Sequence, residues 1–352
     1  MYGQRLRLAL ALLTTTVWIL ALASPAHAHG GSVQPVATNY LAKVRTAPAG
    51  LDAKVVDGDL RLWLRAPATA ATVIVLDYRG APYLRFDHAG VQVNHNSAMS
   101  YLNQTPVAET PPANLTPFTL PDWHPASSSH DYNWHDGRLH ALATIALAPG
   151  TSYVGTWTIP ITIDGRRTAI TGGLWHADRP SIVWFWPILV MLGCVLAAWR
   201  LRRPTLDRQI ARAIAITALV ALAVASVGRG LHGHPSVSPT QYVELGIILA
   251  FVAWGLSRLL LQQHRYFTYF VIAFAVLWQG LSLIPVLRDG FVLVNLPAFI
   301  ARTATMLCLA CGAAILLLVF RLAELPARKT ARIRPTTDEL DPDDLDEAWD
   351  IG

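Results

Sequence analysis

The sequence predicts a protein in two parts, an all-β immunoglobulin-like sandwich followed by an all-α bundle of five transmembrane helices. Three observations carry this. The 352 residues are 53% hydrophobic and only 14% charged, too few charges to coat a water-facing surface. Residues 29–180 are polar and alternate at period two, whereas those after 180 run in apolar blocks of about twenty, the length that crosses a bilayer. The net charge of +5 sits mostly at the ends of those blocks, which is a topology signal and not a nucleic-acid patch. The same composition excludes a disordered chain. Three cysteines, all in apolar stretches, exclude a disulfide framework and a multi-cysteine zinc module.

At the start, Arg5 and Arg7 precede an apolar run from Leu8 to Ala23, and Ser24-Pro25-Ala26-His27-Ala28 follows. A basic region, an apolar region and a small-x-small site predict a cleaved signal peptide over 1–28, with an uncleaved anchor as the alternative. Cleavage after Ala28 makes His29 the first residue, and its α-amine and imidazole can then chelate a metal together.

Residues 29–180 read as an external β domain. Leu60, Leu62 and Leu64 alternate with Arg61, Trp63 and Arg65, the mark of a half-buried strand. Thr72–Leu76 is a β-branched strand, Arg79–Pro82 a turn, Tyr83–Phe86 a strand, Asp87–Gly90 a turn, and Val91–Asn94 another strand. Tyr153–Ile163 and Thr168–Trp175 pair around Asp164-Gly165, a type I′ hairpin signal. Short strands at this spacing predict the immunoglobulin-like sandwich. The Pro-, Ser- and Thr-rich stretch between Asn103 and Tyr132 has no periodicity and reads as a long functional loop.

The helical part, 181–321, divides into spans at Ser181–Trp199, Ile210–Val227, Tyr242–Leu261, Phe267–Val286 and Pro297–Phe320. Arg200, Arg202, Arg203, Arg208 and Arg212 crowd the first connection, and Arg265 lies in the third. Arg321, Arg328, Lys329, Arg332 and Arg334 follow the last span. The positive-inside rule puts these segments in the cytoplasm and the β domain outside a plasma membrane. Residues 322–352 form an acidic tail, either a disordered solvating end or a docking peptide around Trp349.

Histidine placement is the main functional clue. Of twelve, His29, His88, His95, His124, His130, His135, His140 and His176 fall in the external domain. His232 and His234 lie in an external loop, and only His264 is cytoplasmic. The dense run from His124 to His140 places His130 and His135 at one end of the sandwich, and His140 on a strand from Arg138 to Leu147. Asp136 reads as a ligand or as the acceptor that fixes a histidine tautomer. Within this run neither an HxH nor an HExxH spacing occurs, so structural hydrogen-bonding histidines are the competing reading. With Met99 the one external methionine and no external cysteine, the donor set favours Cu(II), then Zn(II). In the last span, Cys308 and Cys311 share a helix face, either as small packing residues or as a transient Cu(I) site. Glu244 is the other candidate for an ion path, and the lack of further acidic or histidine residues in the span cores argues against a pump.

A signal ending in Ala-His-Ala before His29, an external sandwich and the hairpin Trp157–Arg166 resemble the periplasmic copper-binding CopC family, whose domains are sometimes fused to a CopD-like membrane part. That resemblance implies Cu(II) held by the mature N-terminal histidine and an Asp-Gly-His on the hairpin. Here His29 and Asp164-Gly165 match, Arg166 replaces the histidine, and the methionine-rich Cu(I) strand is missing. The external domain also resembles a family of actinobacterial membrane proteins in Pro82–Phe86, Tyr101–Asn103 and Trp134–His140, a likeness that implies no activity.

The expectation is therefore a membrane-anchored, extracytoplasmic copper-handling protein with a site drawn from His29, His95, His130, His135, Asp136 and His140. An N-terminal histidine brace doing copper redox chemistry is its enzymatic variant. The competing class is a non-enzymatic module that binds a membrane or envelope protein. Besides the bilayer, no nucleic-acid partner is expected. No nucleophile–base triad, phosphate loop or paired carboxylates appear.

Overall fold

The computed structural model describes residues 35–67, 72–103, 109–140, 152–201, 203–233, 235–261 and 266–324. A β-rich region comes first and helices follow. The strands are β1 (Ala37–Thr38), β2 (Tyr40–Thr46), β3 (Asp52–Val56), β4 (Arg61–Arg65), β5 (Val73–Leu76), β6 (Pro82–Asp87), β7 (Gly90–Asn94), β8 (Trp123–Ser127), β9 (Asp131–His135), β10 (Tyr153–Ile163), β11 (Arg166–His176) and β12 (Phe291–Val292). One antiparallel sheet runs β2-β11-β10-β5-β6-β7-β8, a second runs β3-β4-β9, and β1 pairs with β12 alone.

The two larger sheets enclose one apolar core. Leu62, Leu64, Val73, Val75, Leu84, Ile159, Ile161 and Ile170 are all fully buried, each contributing about 1.5–3 kcal/mol on burial. Trp63 is buried too and donates its indole N–H to Asp131 Oδ2 at 3.1 Å, so β4 is covered on both faces and not half-exposed. The β10–β11 hairpin turns at Asp164 and Gly165 with φ of 49° and 76°, the pair of left-handed residues that a type I′ turn needs.

Two expectations change. The stretch 103–132 is not simply a loop, because Trp123–Ser127 joins the seven-stranded sheet as its edge strand. An edge tolerates Pro125, which lacks a ladder donor. Residues 137–139 form a 3-10 turn instead of opening a strand, and residues 141–147 lie outside the described residues.

The helices are α1 (Met99–Leu102), α2 (Trp186–Leu201), α3 (Pro204–Gly230), α4 (Pro239–Leu260), α5 (Tyr266–Ser282), α6 (Ile284–Arg288) and α7 (Ala298–Glu324). Among the described residues four apolar helices are long enough to cross a bilayer: Ile182–Leu201, Thr205–Gly230, Pro239–Leu260 and Ala298–Val319. The last is 61% buried and the first 17%, so α7 is the centre of the bundle and α2 its rim. Ile188, Leu189, Leu192 and Leu196 face outward from α2, as a lipid-facing helix requires. At the α5–α7 contact a Cβ on Gly312 would stand 3.1 Å from Leu277, and one on Gly280 2.9 Å from Leu309. Small residues let these two backbones approach.

The expected fourth span is interrupted. The chain turns at Leu283 and resumes as α6, where Pro285 stands at the helix start. Arg302 of α7 then donates to the carbonyls of Val286, Asp289 and Gly290 at 3.2, 3.1 and 2.8 Å, which fixes the segment leading into β12. There β1 docks: Leu293 N–H donates to Val36 O at 2.8 Å, and Gly290 N–H to Asn39 Oδ1 at 2.9 Å.

Candidate metal centre

Among the described residues, the edge pair β7–β8 builds one cluster of three ligating side chains. Val93 lies opposite His124 and Asn94 opposite Trp123. The next step brings His95 against Asp122, whose carbonyl accepts from His95 N–H at 2.8 Å. Alternation then puts His95, Asp122 and His124 on one face. Their ligand atoms all lie within 4.8 Å of one another, and all three residues are exposed.

A buried amide sets this geometry. Asn94 is fully buried. Its Oδ1 accepts from Asp122 N–H at 2.8 Å and Asn96 N–H at 2.9 Å, while its Nδ2 donates to Pro82 O at 2.6 Å. Asn96 in turn donates to Leu120 O at 2.9 Å. The turn carrying His95 and the segment entering Asp122 are thus tied through a core residue.

The imidazoles of His95 and His124 stack at 4.0 Å with planes 15° apart, and His124 Nε2 is 2.9 Å from Asp122 Oδ2. Two nitrogens on one ion at about 2.0–2.1 Å can be no more than about 4.2 Å apart. Parallel rings aim their lone pairs in parallel, so ion capture needs the rings to splay. Exposure leaves both side chains room to turn.

A second pair forms at the end of β9. His135 and His140 rings are 4.9 Å apart, and His140 Nδ1 is 3.0 Å from Oδ2 of the buried Asp59. A carboxylate on one ring nitrogen is how metal-binding histidines are commonly oriented. Burial, then the neighbouring His140, push the His135 pKa below its ordinary 6.5, favouring the neutral form. Asn103, just after α1, donates to His135 O at 2.7 Å, so a single helical turn links the two histidine pairs.

The expected site residues therefore separate. His95 sits in the first cluster, and His135 and His140 in the second. His130 precedes β9 while His135 ends it, so these two lie at opposite ends of one strand, about 16 Å apart at strand rise, and not together. His130 Nε2 is buried without a hydrogen-bond partner among the described residues. Asp136 is fully buried and has no lone pair to spare. Its Oδ1 accepts from Arg138 N and Nε at 3.1 and 2.8 Å, and its Oδ2 from Trp134 Nε1 and Arg138 Nη2 at 2.9 and 2.7 Å. It is the cap of the 137–139 turn and an ion-pair partner. His29 lies outside the described residues.

Sequence reasoning missed Asp122 and Asp59 as partners and left His124 out of the site. The available signal was Asp122-Trp-His124, two side chains two apart and so on one face of any strand.

Comparison with family models, with curated proteins and with solved structures finds no match to this chain.

Proposed function

We propose that this is a membrane-anchored metal-binding protein whose β region takes up Cu(II), with Zn(II) second, through His95, Asp122 and His124. The observation that carries the proposal is the convergence of two imidazoles and a carboxylate within 4.8 Å on an exposed sheet edge. Nitrogen and oxygen donors bind Cu(II) most tightly among the common divalent ions. His29, freed by removal of residues 1–28, is the remaining candidate ligand.

The accompanying architecture is an immunoglobulin-like sandwich over 29–180, a five-span bundle over 181–321 and a cytoplasmic tail over 322–352. Two sheets around one core support the first. Parity supports the second: β1 precedes every span and pairs with β12, so an even number of crossings separates them. The long apolar helices α2, α3 and α4 make three. The fourth is then α5 continued by α6, and α7 is the fifth. Asn295 N–H donating to Gly228 O at 2.8 Å agrees, since the end of α3 follows two crossings. The arginines of the α2–α3 connection support a cytoplasmic loop there and hence a β region outside.

A second reading has its own observation. Phe118 and Leu120 are 91% and 82% exposed on the segment that leads into Asp122, an arrangement suited to docking an envelope protein. The test is Cu(II) titration of the full chain in detergent, followed by electron paramagnetic resonance. Copper bound with nitrogen hyperfine structure that disappears in His95→Ala/His124→Ala is expected. Equal binding by that variant refutes the site, and no binding at all leaves the docking module.

A further inference from the structure

All three cysteines of the chain, and Met191 with them, lie on two apolar helices that pack into one core. Cys308 and Cys311 lie three apart on α7 and are fully buried. Met191 and Cys194 lie three apart on α2 and pack, part-buried, against the same core. Residues three apart share a helix face, so each helix presents a pair of sulfurs. Cys311 Sγ stands 3.8 Å from Met191 Sδ, and Cys308 and Cys194 lie one turn away from them on the same helix faces, packed in the same core.

We propose that Met191, Cys194, Cys308 and Cys311 form a site for monovalent copper between α2 and α7. This site is separate from the histidine cluster and stands without it. Thiols and a thioether are the donors that select Cu(I). Twice a metal–sulfur bond of about 2.3 Å sets the widest S···S separation on one ion at about 4.6 Å, and the Cys311–Met191 pair is already inside it. The remaining thiols close on the ion by side-chain rotation.

Charge selects the ion as well. Net charge is costly in hydrocarbon. Cu(I) replaces one thiol proton, Cu⁺ + R–SH → R–S–Cu + H⁺, and the product with neutral thiol and thioether donors carries no net charge. No change of oxidation state is involved. A divalent ion would need two thiolates for the same neutrality.

The test uses the full chain in detergent, with the His95→Ala/His124→Ala background removing the other cluster. Cu(I) is titrated anaerobically against a chromophoric Cu(I) chelator, and X-ray absorption reads the ligands. One equivalent bound through sulfur at about 2.3 Å is expected. Cys308→Ser/Cys311→Ser should weaken it by more than ~10-fold, the loss that even an outer-sphere partner causes, and Met191→Leu should weaken it while keeping the packing. Unchanged affinity in the cysteine variant, or a copper spectrum with only nitrogen and oxygen, overturns the site. If that variant fails to fold, alkylation of the parent chain decides. Cu(I) should shield the part-buried Cys194 from a maleimide, and equal labelling of Cys194 with and without Cu(I) overturns the proposal.

Discussion

Replacing Asp136 by alanine separates a structural carboxylate from a metal ligand. The Arg138 side chain is only 17% exposed, held by the Leu76 carbonyl at 3.0 Å and over the Tyr78 ring at 5.2 Å, so it cannot swing into water when its partner goes. Breaking a buried ion pair by removing one member costs about 3–5 kcal/mol. The orphaned indole N–H of Trp134 overlaps with that cost, so about 4 kcal/mol is the expected total. At about 1.4 kcal/mol per decade this is roughly a thousandfold rise in local opening. Hydrogen–deuterium exchange by mass spectrometry on the full chain reads it directly, as peptides covering 131–139 exchanging faster by that factor. Asp136→Asn keeps the shape but turns one acceptor into a donor, so it should fall between alanine and the parent. It should leave Cu(II) binding by His95, Asp122 and His124 intact. Tenfold weaker Cu(II) binding with unchanged exchange at 131–139 would refute this reasoning and make Asp136 a ligand.

The conformation of β11 gives another prediction. A Cβ on Gly172 would lie 2.1 Å from Trp157 Cζ2 and 2.2 Å from Lys43 O, so Gly172→Ala should cost about 3 kcal/mol, the upper range for overpacking. Gly155→Ala on the paired strand meets nothing within 4 Å and should be near neutral; thermal unfolding of the two variants compares them. A third prediction concerns pH. Because the folded pKa of His135 is lowered, the unfolded chain binds its proton more readily. The stability at stake is whole above pH 6.5 and is lost as pH falls through the ordinary histidine value toward the folded one. Urea unfolding should become easier between pH 7.5 and 5, and His135→Gln should flatten that slope.

Features governed by local backbone chemistry were legible in the sequence. Asp164-Gly165 dictated its turn because few residue pairs accept two positive φ angles, and the β10–β11 register followed. Apolar blocks marked the four long apolar helices, since a bilayer sets such lengths. What depended on distant partners was not legible. Nothing near Trp123 signals a strand, because Pro125 reads as a breaker until the sheet edge that tolerates it is known. His95 and His124 are far apart in sequence and are joined through the buried Asn94, whose hydrogen bonds leave no periodic trace. Asp136 was read as a ligand candidate because an exposed and a fully capped aspartate look alike as letters. The approach of Met191 to Cys311 likewise required the α2–α7 packing.

The pairing of β1 with β12 also imposes an order in time. Residues 36–39 are made early, but the segment 290–293 that they bond is made about 250 residues later. At typical synthesis rates of ~5–20 residues per second that wait is roughly 10–50 s. During it the first strand lacks this mate, and the apolar helices α2, α3 and α4 are made before it arrives. Closure of β1 onto β12 therefore records that the chain has been made past residue 292. A chain stalled before residue 290 would leave this seam open, its unpaired edge exposed to quality-control proteases.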